Sequence, residues 1–419
     1  MSVGLLDLND CNLQLWHQDT RVQSPGYALF QGKEYLFGAP ARAAARLQPR
    51  DINTRYWWQL STEVLQPALG PARHTGDLVH AHLRQLHQEA KNPAEVLLAV
   101  SGSMQHQQLA LLLGIVQQCP FDAVGLVNRS VALGSLYGRG ERVFHLEIQL
   151  HQAVVSELAR QDNVMSLQRT VPLPGCGLLQ LQERLVEIIA AEFVRQTRFD
   201  PRRKAATEQH LYDALPAALR ALQSDAETNL DINGYQARIN ALDLRVAGQR
   251  LFDSARESIG LLRADDLVIA DPLAALLPGL GGAFQQLEIL QADDIQRALR
   301  AHQEQLVQRE QALSFVTALP CLAQAPVSGG PAAPTPAAEP PRRPTHLLQR
   351  HLARPLIESG TALGNDWELY WSSQGWQLRG AGTAARVNDR AYLPGQILGT
   401  GDAIAIGGAD PVLLIEVSA

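Results

Sequence analysis

The stretch QAPVSGGPAAPTPAAEPPRRPT, residues 324–345, sets the first limit on how this chain can fold. It is dense in Pro, Ala and Gly and has no apolar periodicity, so it cannot bury enough surface to offset its ordering entropy. It reads as an extended linker between a large region, 1–323, and a small one, 346–419. Hydrophobic residues make up 46% of the 419, enough for each region to bury a core. The net charge is −6, and no basic run is long enough for a nucleic-acid groove, so no nucleic-acid partner is expected. Its basic residues are nearly all arginine, read first as a GC-rich coding preference. Four scattered cysteines without CxxC or Cys/His spacing argue for a reducing compartment and against structural zinc. The N-terminus lacks a basic segment followed by an apolar core, and the longest apolar runs, such as LALLLGIV, are too short to span a bilayer. A cytoplasmic protein with no membrane span is expected.

Within the large region the periodicity changes repeatedly between two and about 3.6. VGLLDL and CNLQLWH, joined by a polar NDCN turn, predict a hairpin, and YALFQGKEYLFG predicts another, with its turn at Gln31-Gly32. DLVHAHLRQLHQEA places Leu78, Val79, His82, Leu83 and Leu86 at helical spacing. EVLLAV and AVGLV read as strands, QHQQLALLLGIVQQC and RSVALGSLY as helices, and RVFHLEIQLHQAVVSEL as a hairpin. From Gly177 to Leu222 the pattern is mostly helical, and GYQARINALDLRVAGQRLFDSARESIG continues it after a short extended segment. DDLVIAD predicts a strand followed by a helix, then come the strand QLEILQ and one long charged helix, DDIQRALRAHQEQLVQREQAL. Strands alternating with helices give an α/β class. His74, His80, His82 and His87 lack the i,i+4 spacing of a metal pair and read as a polar helix face. FDPRRK reads as a solvated charge run.

The order of these segments resembles the nucleotide-binding domain of DnaK-type chaperones, a two-lobed fold of the actin–hexokinase superfamily. VGLLDLNDCN occupies the place of the family's first phosphate loop. SPGYALFQGKEYLFGAPARAAARLQPRDINT matches the next segment, and the stretch from DLVHAHLRQL to ALGSLYG is the strongest likeness. The resemblance implies ATP held between two lobes by glycine-rich turns, whose backbone N–H groups reach the phosphates while carboxylates order magnesium waters. Asp7 and Asn12 would be the residues that contact the nucleotide.

The residues that would do this chemistry are largely replaced. Asp7 is kept, but Asn9 stands where the family has glycine. The phosphate-binding lysine falls at Trp57, whose neutral indole cannot replace an ammonium. Asn-Glu-Pro reads Asn128-Arg129-Ser130, which reverses a charge. The second phosphate loop aligns with HLEIQL, so His145 replaces an aspartate while Glu147, Ile148 and Gln149 replace glycines. The ribose and phosphate turn reads Ala270-Asp271-Pro272-Leu273. ATP hydrolysis is therefore not expected, and no cofactor is assigned. Mg-ATP in an altered pose is the alternative that stays open. Asp7 itself reads as a strand-end carboxylate capping the NDCN turn, with nucleotide contact as the alternative.

The small region is β-rich and resembles a forkhead-associated sandwich through VNDRAYLPGQILGTGDAIAIG, with turns expected at Ser373-Gly375, Asn388-Asp389 and Gly401-Asp402. That family binds phosphothreonine through an arginine, whose place is Asn365 here, so phosphopeptide binding is not expected. Trp367, Trp371 and Trp376 read as core and strand-pairing residues, the alternative being an aromatic contact face. The chain reads as a non-catalytic, chaperone-like scaffold or adaptor for protein partners. A nucleotide-dependent switch and an actin-like filament former are the alternatives, and the oligomeric state is left open.

Overall fold

The computed structural model describes residues 2–138, 140–309, 312–322, 344–349, 352–372, 375–381, 384–388, 390–407 and 411–416. Nearly all of the expected linker at 324–345 lies outside the described residues, as do Ser373 and Asp389 of two expected turns. The chain divides into two compact units, Met1–Ala325 and Pro326–Ala419. The architecture is mixed α/β, and the described residues of the smaller unit form antiparallel sheets.

The larger unit is built on two six-stranded sheets with a common plan. In the first, Gly4–Leu8, Leu13–His17 and Thr20–Ser24 form an antiparallel meander. Glu95–Val100, Asp122–Asn128 and Phe315–Val316 then add in parallel beside the opening strand. In the second, Arg142–Ile148, Gln152–Gln161 and Val164–Pro174 form the meander, and Leu267–Ala270 and Leu287–Ile289 add in parallel. Ala318–Pro320 closes its far edge. Each parallel addition needs a crossover, and helices supply it. Thr75–Glu89 and His106–Val116 serve the first sheet, while Leu178–Thr197, Ala205–Ala221 and Ala241–Ile259 precede the parallel strands of the second.

Period-two alternation decides what each face buries. Val3 and Leu5 face a layer shared with Val143, Leu158 and Ile269 of the second sheet, whereas Leu6 and Leu8 face the helices of the first. Phe144, Leu146 and Ile148 likewise turn to the second sheet's helices. The helices obey the complementary rule. Leu178–Thr197 buries Leu181, Leu185, Ile189 and Phe193 at four-residue spacing and ends at Arg198 in the left-handed conformation.

Several segments depart from the sequence expectation. RVFHLEIQLHQAVVSEL is a hairpin, and Val164–Pro174 adds a third strand that its irregular polarity concealed. Tyr235–Asn240 is a strand paired with Glu227–Ile232, and the helix begins only at Ala241, capped by the Asn240 side chain. After Leu267–Ala270 there are two short 3-10 turns instead of a helix. Pro272 and three nearby glycines, Gly279, Gly281 and Gly282, account for that loss. The charged helix covers Asp294–Ala301 and Gln303–Leu306 and then stops. The histidine face is not uniformly polar, because His82 and His87 are buried. Arg202, Arg203 and Lys204 of FDPRRK are exposed. Among the described residues no helix is long and apolar enough to cross a membrane.

The smaller unit has a six-stranded sheet running from Leu352–Pro355 at one edge to Arg390–Ala391 at the other. A second sheet joins Thr361–Gly364, Trp367–Ser372 and Gly375–Gly380. Leu347, Leu369, Trp376, Leu378, Ile404 and Leu414 form its core. Trp376 is buried, Trp371 meets it edge-on at 5.4 Å, and Trp367 meets Tyr392 in the same way. These rings pack the sandwich and do not form an open aromatic face. Asn365 and Asp366 both have positive φ in the turn joining Thr361–Gly364 to Trp367–Ser372, which suits that residue pair.

Candidate functional site

Ligand sites in sheets with parallel strands form where those strands end at their carboxyl edge. Asp7 lies near the end of Gly4–Leu8, and Arg129 follows the strand Asp122–Asn128. Glu147 lies near the end of Arg142–Ile148, and Asp271 follows Leu267–Ala270. Alternation puts Asp7 on the face of Leu5, Glu147 and His145 on that of Val143, and Asp271 on that of Ile269. The polar ends of strands from both sheets therefore meet in one layer.

Arg129 joins them. Its Nε donates to Asp7 Oδ1 at 2.8 Å, and Nη2 and Nη1 donate to Asp271 Oδ1 and Oδ2 at 2.9 and 3.3 Å. Glu147 Oε2 lies 3.8 Å from Nη1. Asn128 caps the helix Arg129–Leu136 by accepting from the Val131 N–H, which fixes Arg129 at the first helical position. A planar fork can serve two carboxylates at once, which an ammonium point charge cannot do with the same geometry. His145 adds a contact of 3.4 Å to Asp271, its Nε2–H donating, while Nδ1 accepts from the Ser130 hydroxyl at 2.8 Å. Asn9 Nδ2 donates to the Ile148 carbonyl at 3.1 Å and to Glu147 and Asp271 at longer range. Its Oδ1 accepts from the Cys11 N–H at 2.9 Å.

Asp7, Glu147, Arg129 and Asp271 are all buried, so this is a cluster of charge in a low-dielectric layer. Burial weakens the guanidinium's hold on its proton, but Asp271, Asp7 and Glu147 outweigh that, and Arg129 is held firmly charged. Burial also acts on Asp271, yet the Arg129 charge and the bonds from His145 and Arg129 bring its carboxyl down to about 2. Asp7 goes the other way. With one donor against full burial, its carboxyl rises to about 6. Burial lifts the Asp10 carboxyl to about 7, although it accepts the Leu150 N–H at 2.8 Å. Asp7 Oδ2 and Glu147 Oε2 are buried without a hydrogen-bond partner. The satisfaction of the cluster is therefore incomplete.

The reading of Asp7 as a turn cap is corrected here. Asn9 and Asp10 hold the NDCN turn through the Cys11 and Leu150 amides, while Asp7 is an ion-pair partner. Asn12 lies in that turn, its N–H donating to the Asn9 carbonyl at 3.0 Å, and lines the cavity above the cluster. Trp57 is elsewhere, buried in the first sheet's core with its indole N–H donating to His82. So Arg129, His145, Glu147 and Asp271 come together with Asp7, and Trp57 does not. Asp10 was missed in the sequence, where nothing distinguishes it from an ordinary turn residue.

Above the cluster lies a cavity of about 820 Å³. Asp7, Asn9, Arg129 and Asp271 belong to its floor, and Leu181, Leu185, Leu219, Leu276, Leu290 and Ile295 to its walls. The donor set does not fit a magnesium–triphosphate. Asp7 and Asp271 already hold the Arg129 guanidinium, and Glu147 adds a third carboxylate beside them, which opposes a polyanion. Among the described residues no three His, Cys, Asp or Glu side chains are disposed to hold a metal ion. No family model matches the chain, and no curated protein matches it at a significant level.

Proposed function

We propose that this chain is a non-catalytic protein of the DnaK–actin type, a pseudo-ATPase that serves as a scaffold or adaptor for protein partners. The observation that carries the reading is the insertion of Arg129 between Asp7 and Asp271. In an ATPase of this type those positions would face the metal and the phosphates. A guanidinium supplies the positive charge permanently, from within the chain, and needs no ligand to do so.

The repeated sheet plan supports the two-lobed reading, since each half carries the same meander with parallel strands added beside its first strand. Arg129 fastens one half to the other, because Asp7 belongs to the first sheet and Asp271 directly follows a strand of the second. A nucleotide switch opens and closes by exchanging contacts at this position. Here the contact is covalently part of the chain, which favours one fixed conformation suited to presenting surfaces. The C-terminal sandwich would add a second docking surface on the same chain, raising the effective concentration of one partner for the other.

Titration calorimetry of the full chain with Mg-ATP and Mg-ADP tests the reading. The expected result is no heat of binding at millimolar nucleotide. Saturable micromolar binding would replace it with the switch, and nucleotide-dependent light scattering would favour the filament.

A further inference from the structure

Two carboxylates of the Arg129 cluster are each half-bonded in the same way. Asp7 gives Oδ1 to Arg129 Nε at 2.8 Å, while its Oδ2 is buried without a hydrogen-bond partner. Glu147 gives Oε1 to Gln149 Nε2 at 3.0 Å and Asn9 Nδ2 at 3.5 Å, while its Oε2 is buried in the same state. We propose that one proton is shared between Asp7 Oδ2 and Glu147 Oε2, forming a carboxyl–carboxylate bond that fastens the first sheet to the second and opens as pH rises. This goes beyond the scaffold reading and does not rest on it.

Three observations lead to the shared proton. The first is closure. Both oxygens are sealed from water, so neither solvent nor a ligand can bring them the donor that a buried carboxylate oxygen requires. A proton needs no such room. The second is proximity. Asp7 and Glu147 meet the same guanidinium, Glu147 Oε2 lying 3.8 Å from Arg129 Nη1, and Asp271 takes the remaining side of the fork. Three carboxylates around one cation cannot all stay ionised at low cost, and a proton on one of them relieves the excess. The third is the seat. Burial first, with Asp271 and Glu147 behind it, holds the Asp7 carboxyl up at about 6 against the pull of Arg129. An O–H···O⁻ bond is of the strong, charge-assisted kind. Asp7 lies on Gly4–Leu8 and Glu147 on Arg142–Ile148, so the bond crosses from one sheet to the other.

The other charged and titratable groups around Asp7 are occupied. Asp271 receives Arg129, the His145 Nε2–H and the Ile148 N–H. In the NDCN turn Asp10 accepts the Leu150 N–H, and burial pushes the Cys11 thiol up. On the helix Asp294–Ala301, which also packs on the Asp7 strand, Asp294 is taken by Tyr137 and Arg297. Arg21, two strands away, is engaged by Gln14 and the Ala292 carbonyl. When the proton leaves for solvent, the O–H bond is the one that breaks. Two ionised carboxylates then face each other across the two sheets, and their repulsion loosens the contact.

Difference infrared spectra of the full chain at pH 5 test for the proton directly. Asp10 also holds a proton there, so every comparison is made in the Asp10→Asn chain. The carbonyl band of a protonated carboxylic acid is expected in that chain and is expected to vanish on adding Asp7→Asn. Glu147→Gln should abolish it too, because its Nε2–H takes the proton's place beside Asp7 Oδ2 and leaves Asp7 ionised. Urea unfolding supplies the sign. Each substitution puts an N–H donor where the shared O–H was, so each is expected to raise the folding constant at pH 8. That advantage should grow at least about tenfold from pH 5 to pH 8, as the unsubstituted Asp7 loses its proton. A band that survives either substitution, a variant less stable than its parent at pH 8, or an advantage that does not change with pH would each overturn the proposal.

Discussion

Two buried polar clusters of the larger unit, one around His82 and one around Arg129, are built on opposite principles. At His82 both ring nitrogens are engaged. Trp57 Nε1–H donates to Nδ1 at 3.2 Å and the Tyr56 hydroxyl lies 2.7 Å from it, so Nδ1 accepts and Nε2–H donates to the Ser24 hydroxyl at 2.7 Å. Burial alone pushes the imidazole down to about 3, so it stays neutral. The ring stacks on Phe37 at 4.8 Å, and no carboxylate takes part. At Arg129, by contrast, charge is buried, unequal in sign and incompletely bonded, and it borders a cavity. A satisfied neutral cluster specifies a core. An unbalanced charged one costs stability, and chains retain such sites where something binds or moves.

The largest expected effect comes from breaking the second cluster. Arg129→Met leaves three buried carboxylates without their cation, and should cost about 3–5 kcal/mol in urea unfolding. Adding Asp7→Asn and Asp271→Asn to that variant should recover part of the loss, as expected for coupled neighbours. A cost below about 1 kcal/mol for Arg129→Met alone would mean that the guanidinium is not the element holding the sheets together. The comparison predicts a smaller cost at the neutral cluster. His82→Leu strands the Trp57 and Tyr56 donors and should cost about 1–3 kcal/mol at pH 8, and less at pH 6, where the unfolded parent chain takes up a proton on His82 that the buried ring refuses.

A subtler test uses pH. Asp10 holds its proton up to about pH 7 in the folded chain, against an ordinary value of 3.8, because burial disfavours its charge. The folded state therefore binds more protons than the unfolded one between those limits, and stability from this group falls as pH rises through them. Asp7 acts in the same direction up to about pH 6. Asp271 acts in the opposite sense, its contribution being lost only as pH falls below the ordinary value towards 2. Asp10→Asn, which still accepts the Leu150 N–H, should gain on the parent chain in melting temperature from pH 5 to about pH 7 and then level off. A difference that does not change with pH would show that Asp10 is charged throughout.

Much of the architecture was legible in the residues because local rules produce it. The hairpins at 4–17 and 28–37, the helix Thr75–Glu89 and the strand Glu95–Val100 follow from periodicity and turn chemistry. Where segments were misread, the cause was tertiary or a short-range breaker. Tyr235–Asn240 is a strand because Glu227–Ile232 lies beside it, and the segment after Ala270 cannot be a helix because Pro272 and its glycines interrupt it. His82 sits on a helical stripe in the sequence, but only the fold shows Ser24, Tyr56 and Trp57 meeting it.

By itself the sequence singled out Asp7, Asn9, Arg129, His145, Glu147 and Asp271 for one candidate site, and showed that a Pro/Ala-rich segment separates two folding regions. It also made Asp7 look like a turn cap, since a strand-end aspartate before NDCN is locally sufficient for that role. Only the tertiary structure decided that Arg129 spans from Asp7 to a carboxylate 142 positions further along the chain from the arginine. The physical reason is that a hydrogen bond depends on position in space. Alternation can say which face Asp7 and Asp271 occupy, but the packing of two sheets into one layer decides that those faces share a cation.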